Sequence, residues 1–263
     1  MKNDADFRAR QLELIENNVN AGKEPPWREA LKVTAGFAAI LAALYIIIGI
    51  AVGIYVNAIS FKTQKKIESL FAAANPSAEF KGKEYAQAVS ALREISAQIA
   101  AQNRLPENYA PDIGVVYSRA ANAFLTPGGK IYFTTALLDN VKNKEALAFV
   151  LAHEIGHYVN RDHLKAMGRG LALSVVKILF SGDSSTGVVS GGTDAIARNS
   201  YSRGQEREAD AYAQKVCTAL YGSADGGIEF FEYMEAKDKL PEFISYLSTH
   251  PSTRSRIQKL RNN

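Results

Sequence analysis

The chain has four histidines, and two of them stand in His153-Glu154-Ile155-Gly156-His157. Residues four apart on an α-helix lie one above the other on the same face. Two imidazoles at that spacing can reach one Zn²⁺, and the glutamate beside the first can act as a base toward water there. The five residues thus predict a hydrolytic metal site of the metallopeptidase kind. His153 and His157 are the expected metal ligands and Glu154 the expected catalytic base.

Such a site needs a third protein ligand and an open position. His163 lies six residues after His157, the spacing of HExxHxxGxxH, in which three histidines bind the metal. Asn160 stands where that pattern has glycine. The residues from there through Met167 contain no Gly or Pro, so the helix that starts at Lys144 is expected to reach Met167. On a continuing helix, six residues turn a side chain about 240° away from the metal face. Met167 and Met234 both sit in helical patterns, so no Met-turn is evident. His163 then reads as a surface histidine or a neighbour of the ligands.

Glu206 is the better third ligand. Glu206 and Asp210 are four apart, on a face that also carries Ala209, Ala213, Val216 and Leu220. Two carboxylates directed at an apolar core are costly without a cation or strong donors. A Zn²⁺ with its histidines removes that cost. Glu206 would ligate, and Asp210 would accept the remaining N–H of a ligand imidazole from outside the ligand shell. Arg207 and Glu208 would face water. The bland alternative is a charged surface patch.

These residues make the chain resemble the CAAX-prenyl-protease-type, HtpX-like zinc metalloendopeptidases, and among them the single-span or soluble-domain branch of BepA and LoiP. The resemblance runs from about Ile113 to Leu260. It rests on the HExxH, on Glu206-Arg207-Glu208-Ala209-Asp210, and on His250-Pro251 with Arg256-Ile257. Asn122-Ala123-Phe124, the Gly128-Gly129 turn and the segment Thr134–Leu138 add to it. It implies one Zn²⁺ per subunit on His153, His157 and Glu206, with Glu154 moving the proton. It also implies a catalytic place for His250, either as donor to a developing oxyanion or as a cap on the open position at rest. The plain alternative for His250 is a structural histidine before a proline turn. The strand around Asn122–Leu125 would pair with an extended polypeptide substrate, or else lie inside a small sheet. The HtpX-type members and the prenyl protease proper have several spans, so a single span puts prenylated-peptide processing in doubt and favours the soluble-domain branch. This chain has one span, which favours misfolded or membrane-associated proteins as substrates, a protein quality-control role. The alternative from another class is a chaperone or assembly factor with a structural zinc and little proteolysis.

The elements that must position these groups can be read along the chain. Residues 1–30 are polar, with a sparse helical pattern over Asp4–Asn18 and a break at Pro25-Pro26. Val33–Val56 contains 24 residues without a charge. As a helix it covers about 36 Å, enough for a hydrocarbon core of about 30 Å. We expect an uncleaved transmembrane helix over 31–58 and a peptidase domain over 59–263. Gly49 and Gly53 form a GxxxG through which a second copy can approach, though glycine is also simply common in spans. Three basic residues flank each end (Lys23, Arg28 and Lys32; Lys62, Lys65 and Lys66), so charge does not orient the span. The family branch implies a bacterial inner membrane with the catalytic domain toward the periplasm.

Beyond the span, helices are expected over Phe61–Ala74 and Lys83–Asn103. Short strands follow at Ile113–Tyr117, Ala121–Leu125 and Ile131–Thr134. Asn143 reads as the N-cap of the HExxH helix, and Ser202 as the N-cap of a helix ending near Gly222. The apolar segment Gly170–Phe180 is too short for a second span. The Gly/Ser-rich stretch within 181–200 reads as a mobile loop. The expected fold class is α+β, mostly helical: an N-terminal transmembrane helix, then a zincin-like domain with a small sheet and two metal-binding helices. The net charge of +4 is dispersed, which argues against nucleic acid, and the single cysteine, Cys217, excludes an internal disulfide.

Overall fold

The computed structural model describes residues 2–16, 25–70, 82–102, 105–106, 109–126, 128–170, 201–237, 250 and 253–262. The loop expected at 181–200 and the apolar segment after Gly170 lie outside the described residues. The chain divides into two compact units, Met1–Ile47 and Ile48–Asn263. The first holds helix α1 (Lys2–Glu16) and the start of helix α2 (Pro26–Ala58). The helix begins at Pro26, where a missing N–H costs nothing. Over Trp27–Ala58 it is long and apolar enough to cross a membrane. Phe37, Ile40, Ile47, Ile50 and Ile54 are exposed along it, as a helix surrounded by lipid would have them.

The second unit contains the remaining elements: α3 (Phe61–Leu70), α4 (Ala86–Ala101), β1 (Ile113–Val116), β2 (Ala123–Leu125), β3 (Ile131–Thr134), α5 (Thr135–Asn140) and α6 (Lys144–Val159). A further helical run covers 162–170. After it come α7 (Arg203–Tyr221), α8 (Asp225–Ala236) and α9 (Thr253–Asn262). The sheet order is β1-β3-β2. β1 runs parallel to β3, with Ile113 opposite Ile131, and β2 runs antiparallel to β3, with Ala123 opposite Phe133. Among the described residues β2 is therefore an edge strand. The molecule is mostly helical with one small sheet, as the sequence implied.

The core is built around α6. Asn143 caps it, accepting from Glu145 N at 2.8 Å. Nearly every residue from Ala146 to Tyr158 is buried, as expected of a helix apolar on all sides. α7 begins with a capping box: Ser202 Oγ accepts from Gln205 N, and the Gln205 side chain accepts from Ser202 N. It ends at Gly222, whose φ of 86° is the left-handed cap that glycine adopts freely. The two helices cross at Gly156. A Cβ there would lie 3.0 Å from Ala209 Cα, so only glycine lets the backbones come this close.

One expected element differs. The HExxH helix does not continue to Met167. It ends at Val159, and Arg161 adopts φ 59° before the chain turns helical again at 162. A left-handed non-glycine residue is locally disfavoured, so the surroundings must stabilise it. Arg161 does this with its side chain, as described below.

Candidate active site

α6 presents His153 and His157 on one face, and α7 brings Glu206 and Asp210 to meet them. The Nε2 atoms of His153 and His157 lie 3.1 Å apart. Glu206 Oε2 is 3.6 Å from His153 Nε2, and Glu206 Oε1 is 3.4 Å from His157 Nε2. His250, more than forty residues later, places Nδ1 3.3 Å from His153 Nε2 and 3.0 Å from Glu206 Oε1. All four residues are buried, and one ligand atom from each lies within 4.8 Å of the others. The structure thus brings together His153, Glu154, His157, Glu206, Asp210 and His250, and leaves His163 apart. His163 is buried, not on the surface, and stacks on Tyr158 with Nε2 3.3 Å from Glu68 Oε1.

Each α6 histidine is oriented from behind. His153 Nδ1 pairs with Asp210 Oδ1 at 3.0 Å and His157 Nδ1 with Asp162 Oδ2 at 2.9 Å. A carboxylate at Nδ1 accepts its proton and leaves a lone pair on Nε2. The two Nε2 lone pairs then face one another, an arrangement stable only with a cation or a proton between them. Asp162 is itself held by Gln205, which donates from Nε2 at 2.8 Å. Asp210 is held by Arg256, whose Nε donates to Oδ2 at 2.7 Å and whose Nη2 donates to Oδ1 at 2.6 Å. Arg256 Nη1 also reaches Glu206 Oε2 at 2.8 Å, and its guanidinium lies over the Phe231 ring. Tyr201 stacks on His157 with ring centroids 3.8 Å apart.

The charge states follow from these neighbours. Burial pushes His153 down to about 3. Burial also acts against a charged His157, but the hydrogen bond to Asp162 and the Glu206 carboxylate outweigh it and raise it to about 9. Burial would raise Glu206, yet His250 and His157 hold it far below the usual carboxylate range. Asp210 is lowered to about 2, with the His153 and Arg256 hydrogen bonds overcoming burial. Burial raises Glu154, only partly opposed by His250 and His157. The proton on His157 supplies positive charge among carboxylates, which a divalent cation would supply on displacing it.

The donor set fits a metal. Ligands about 2.0–2.1 Å from a tetrahedral Zn²⁺ stand roughly 3.3 Å from each other; several of the distances above fall near that value, and the four ligand atoms together lie within 4.8 Å of one another. Glu154 is buried beside the cluster, and neither carboxylate oxygen has a hydrogen-bond partner among the described residues. His250 Nε2 lies 3.5 Å from Glu154 Oε1. A buried carboxylate left without a donor is costly, and a site reserved for water and substrate is a place where that cost is tolerated.

A buried helix carrying HExxH, crossed by a second helix that supplies a carboxylate, defines the metallopeptidase class. The chain belongs to peptidase family M48, whose family model matches residues 86–263. Among characterised relatives, it is 28% identical over 236 residues to the mitochondrial metalloendopeptidase OMA1 of Danio rerio, covering 78% of this chain and 44% of that one. It is 28% identical to the OMA1 of Schizosaccharomyces pombe (57% of this chain, 45% of that one) and 29% identical to that of Homo sapiens (56% and 31%). The chain spans less than half the length of these relatives.

Three residues of this arrangement had no role in the sequence reading. Arg256 was visible only as part of the resemblance, 46 positions from the carboxylate that it pairs with. Asp162 reaches back to His157 because the chain turns at Arg161. Tyr201 precedes the Ser202 cap and carries no spacing signal.

Proposed function

We propose that the protein is a membrane-anchored zinc endopeptidase that hydrolyses misfolded or membrane-associated polypeptides in protein quality control. The observation that carries this is the buried set of ligand atoms from His153, His157, Glu206 and His250, all within 4.8 Å of one another, beside a buried Glu154 that has no hydrogen-bond donor among the described residues. The family and the metalloendopeptidase names of its relatives support it. His153, His157 and Glu206 would hold one Zn²⁺ per subunit, which when bound supplies Lewis acidity and a more acidic water. Glu154 takes the proton from the attacking water and delivers it to the leaving amine. Asp210 and Asp162 keep the two imidazoles in the tautomer that ligates. β2, which has no strand on its outer side among the described residues, offers backbone groups to an extended substrate. His250 would either offer Nδ1 as a fourth ligand atom at rest or donate from its imidazole to the developing oxyanion.

The anchor is α2, with a polar segment over 1–30, the span over 31–58 and the peptidase domain over 59–263. We place the protein in a bacterial inner membrane with the domain toward the periplasm; a reporter fused to the C-terminus reads that orientation. A Cβ at Gly49 or Gly53 would meet nothing within 4 Å, which leaves room for a second span.

The test is Glu154→Gln in the full chain in detergent, loaded with zinc. Cleavage of casein should fall about 10²-fold or more while zinc stays bound. Undiminished cleavage would end the proposal. A fourth candidate ligand in His250 favours one other reading, a chaperone or assembly factor with a structural zinc, since structural sites close with four protein ligands. His250→Ala separates the two. A peptidase in which His250 is not an obligate ligand keeps its zinc in the variant and cleaves more slowly for want of an oxyanion donor, whereas a structural site loses its zinc and does not cleave even in the parent.

A further inference from the structure

The turn at Arg161 joins the metal site to the end of the apolar helix. The side chain of Arg161 leaves the catalytic helix and reaches the last turn of α2, where Nη1 donates to Val56 O at 2.6 Å and also to the carbonyls of Asn57 and Ile59. Its guanidinium lies 4.4 Å over the ring of Phe61, the first residue of α3. The last carbonyls of a helix have no partner within it and carry the negative end of its dipole, so a guanidinium is a matched cap. A second contact supports the same junction. Val56 is buried, and a Cβ on Gly168 would collide with Val52, so α2 lies directly against the helical run 162–170.

The next residue, Asp162, orients His157. Asp162 has no exposed surface. Its position depends on the turn that Arg161 makes with φ 59°, because that turn sends the chain back toward the HExxH face. Left-handed backbone at a non-glycine residue is disfavoured, and the contacts to the end of α2 offset that cost. The path is short: α2 carbonyls, Arg161 guanidinium, Arg161 backbone, Asp162 carboxylate, His157 Nδ1.

We propose that Arg161 is a positioning residue for the metal site: by capping the C-terminal end of α2 it fixes the turn from which Asp162 holds His157, so the last turns of the apolar helix are a working part of the peptidase. The inference rests on the reading of His157 as a metal ligand. It makes the segment Val52–Ile59 more than a tether, since displacement of that end would loosen the metal site.

Arg161→Gly is the informative variant. Glycine accepts the positive φ, so the backbone turn remains allowed while the cap is lost. In the full-length protein in detergent, zinc affinity is read by competition with a chromophoric chelator, and amide hydrogen exchange is read over residues 55–60. We expect about tenfold weaker zinc binding, in the range that loss of a ligand's supporting hydrogen bond produces, together with faster exchange at the end of α2. Peptide cleavage at subsaturating zinc falls in parallel and recovers at saturating zinc. Affinity within twofold of the parent, whether or not exchange speeds up, overturns the proposal by reducing the cap to a local structural contact. Should Arg161→Gly not fold, Arg161→Lys keeps charge and stem but not the fork and should show a smaller loss; unchanged affinity there also overturns the proposal. Chelator competition reads the metal site without requiring cleavage. Failure of the peptidase reading, seen with Glu154→Gln, is thus distinguishable from failure of this one.

Discussion

Asp162 and Asp210 perform the same task for the two α6 histidines, but their supports differ. Asp210 rests on the Arg256 guanidinium, and Asp162 on the Gln205 amide. Asp162→Asn should weaken zinc binding roughly 10- to 100-fold, because the amide can present its NH₂ group to Nδ1 and favour the wrong tautomer; chelator competition measures it. Arg256→Met keeps the stem but leaves the buried Glu206 and Asp210 without their guanidinium partner, with only the histidines beside them. Removing one partner of a buried ion pair typically costs about 3–5 kcal/mol, so we expect a loss of that size in urea unfolding of the zinc-free protein. A loss under about 1 kcal/mol would mean that water replaces the guanidinium. At this scale legibility follows sequence distance. Glu206 and Asp210 could be read because a four-residue spacing on a helix carries its geometry with it. Arg256 could not be assigned its carboxylates, because no local period links α9 to α7.

Among the elements, the α6–α7 crossing decides whether the ligands meet. Gly156→Val would drive a branched side chain into the Ala209 backbone and Tyr212 Cβ. α7 must then move outward, carrying Glu206 with it. We expect zinc binding and cleavage to fall together at least tenfold while far-UV circular dichroism stays helical; intact zinc binding would show that the helices can slide without separating. α7 was legible at both ends, because Ser202 and Gly222 are strong local stop signals. The expected end of the HExxH helix at Met167 was wrong for a physical reason. Local propensity favours continuation through Asn160 and Arg161, but the carbonyls of α2, a hundred residues earlier, stabilise the left-handed turn. α3 contributes a second long-range pair. Glu68 is buried and accepts from Gln64, Tyr158 and His163, and although burial acts to raise its pKa, these partners bring it below the ordinary glutamate range. A depressed carboxyl adds stability that is full above its unfolded pKa and is lost as pH falls through the folded value. Chemical unfolding at successive pH values below 4.5 should therefore show a shallower acid loss for Glu68→Gln than for the parent.

For the whole molecule, the metal site is also a balance of charge. Glu154, Asp162, Glu206 and Asp210 are gathered in one buried region, with Arg256 bound to two of them. Lys165 Nζ lies 3.6 Å from Asp162 Oδ1, and protons on the histidines or a cation would supply further positive charge. Without the cation, protonated His157 holds the site together, and that proton has to be released before the imidazole can ligate. Metal binding therefore couples to folding: a ligand bound only by the native state stabilises it by about 2.7 kcal/mol when free metal is a hundredfold above its Kd. For a domain of this size, roughly 2–4 °C per kcal/mol places the expected rise in Tm between the chelated and zinc-replete full-length protein at about 5–10 °C. The rise should shrink for Glu206→Gln, which removes a ligand charge, and persist for Glu154→Gln, which removes only the base. Differential scanning fluorimetry in detergent, with and without chelator, measures all three. An equal rise in the Glu206→Gln variant would show that the stabilising metal binds elsewhere and that the α6–α7 crossing is not its site.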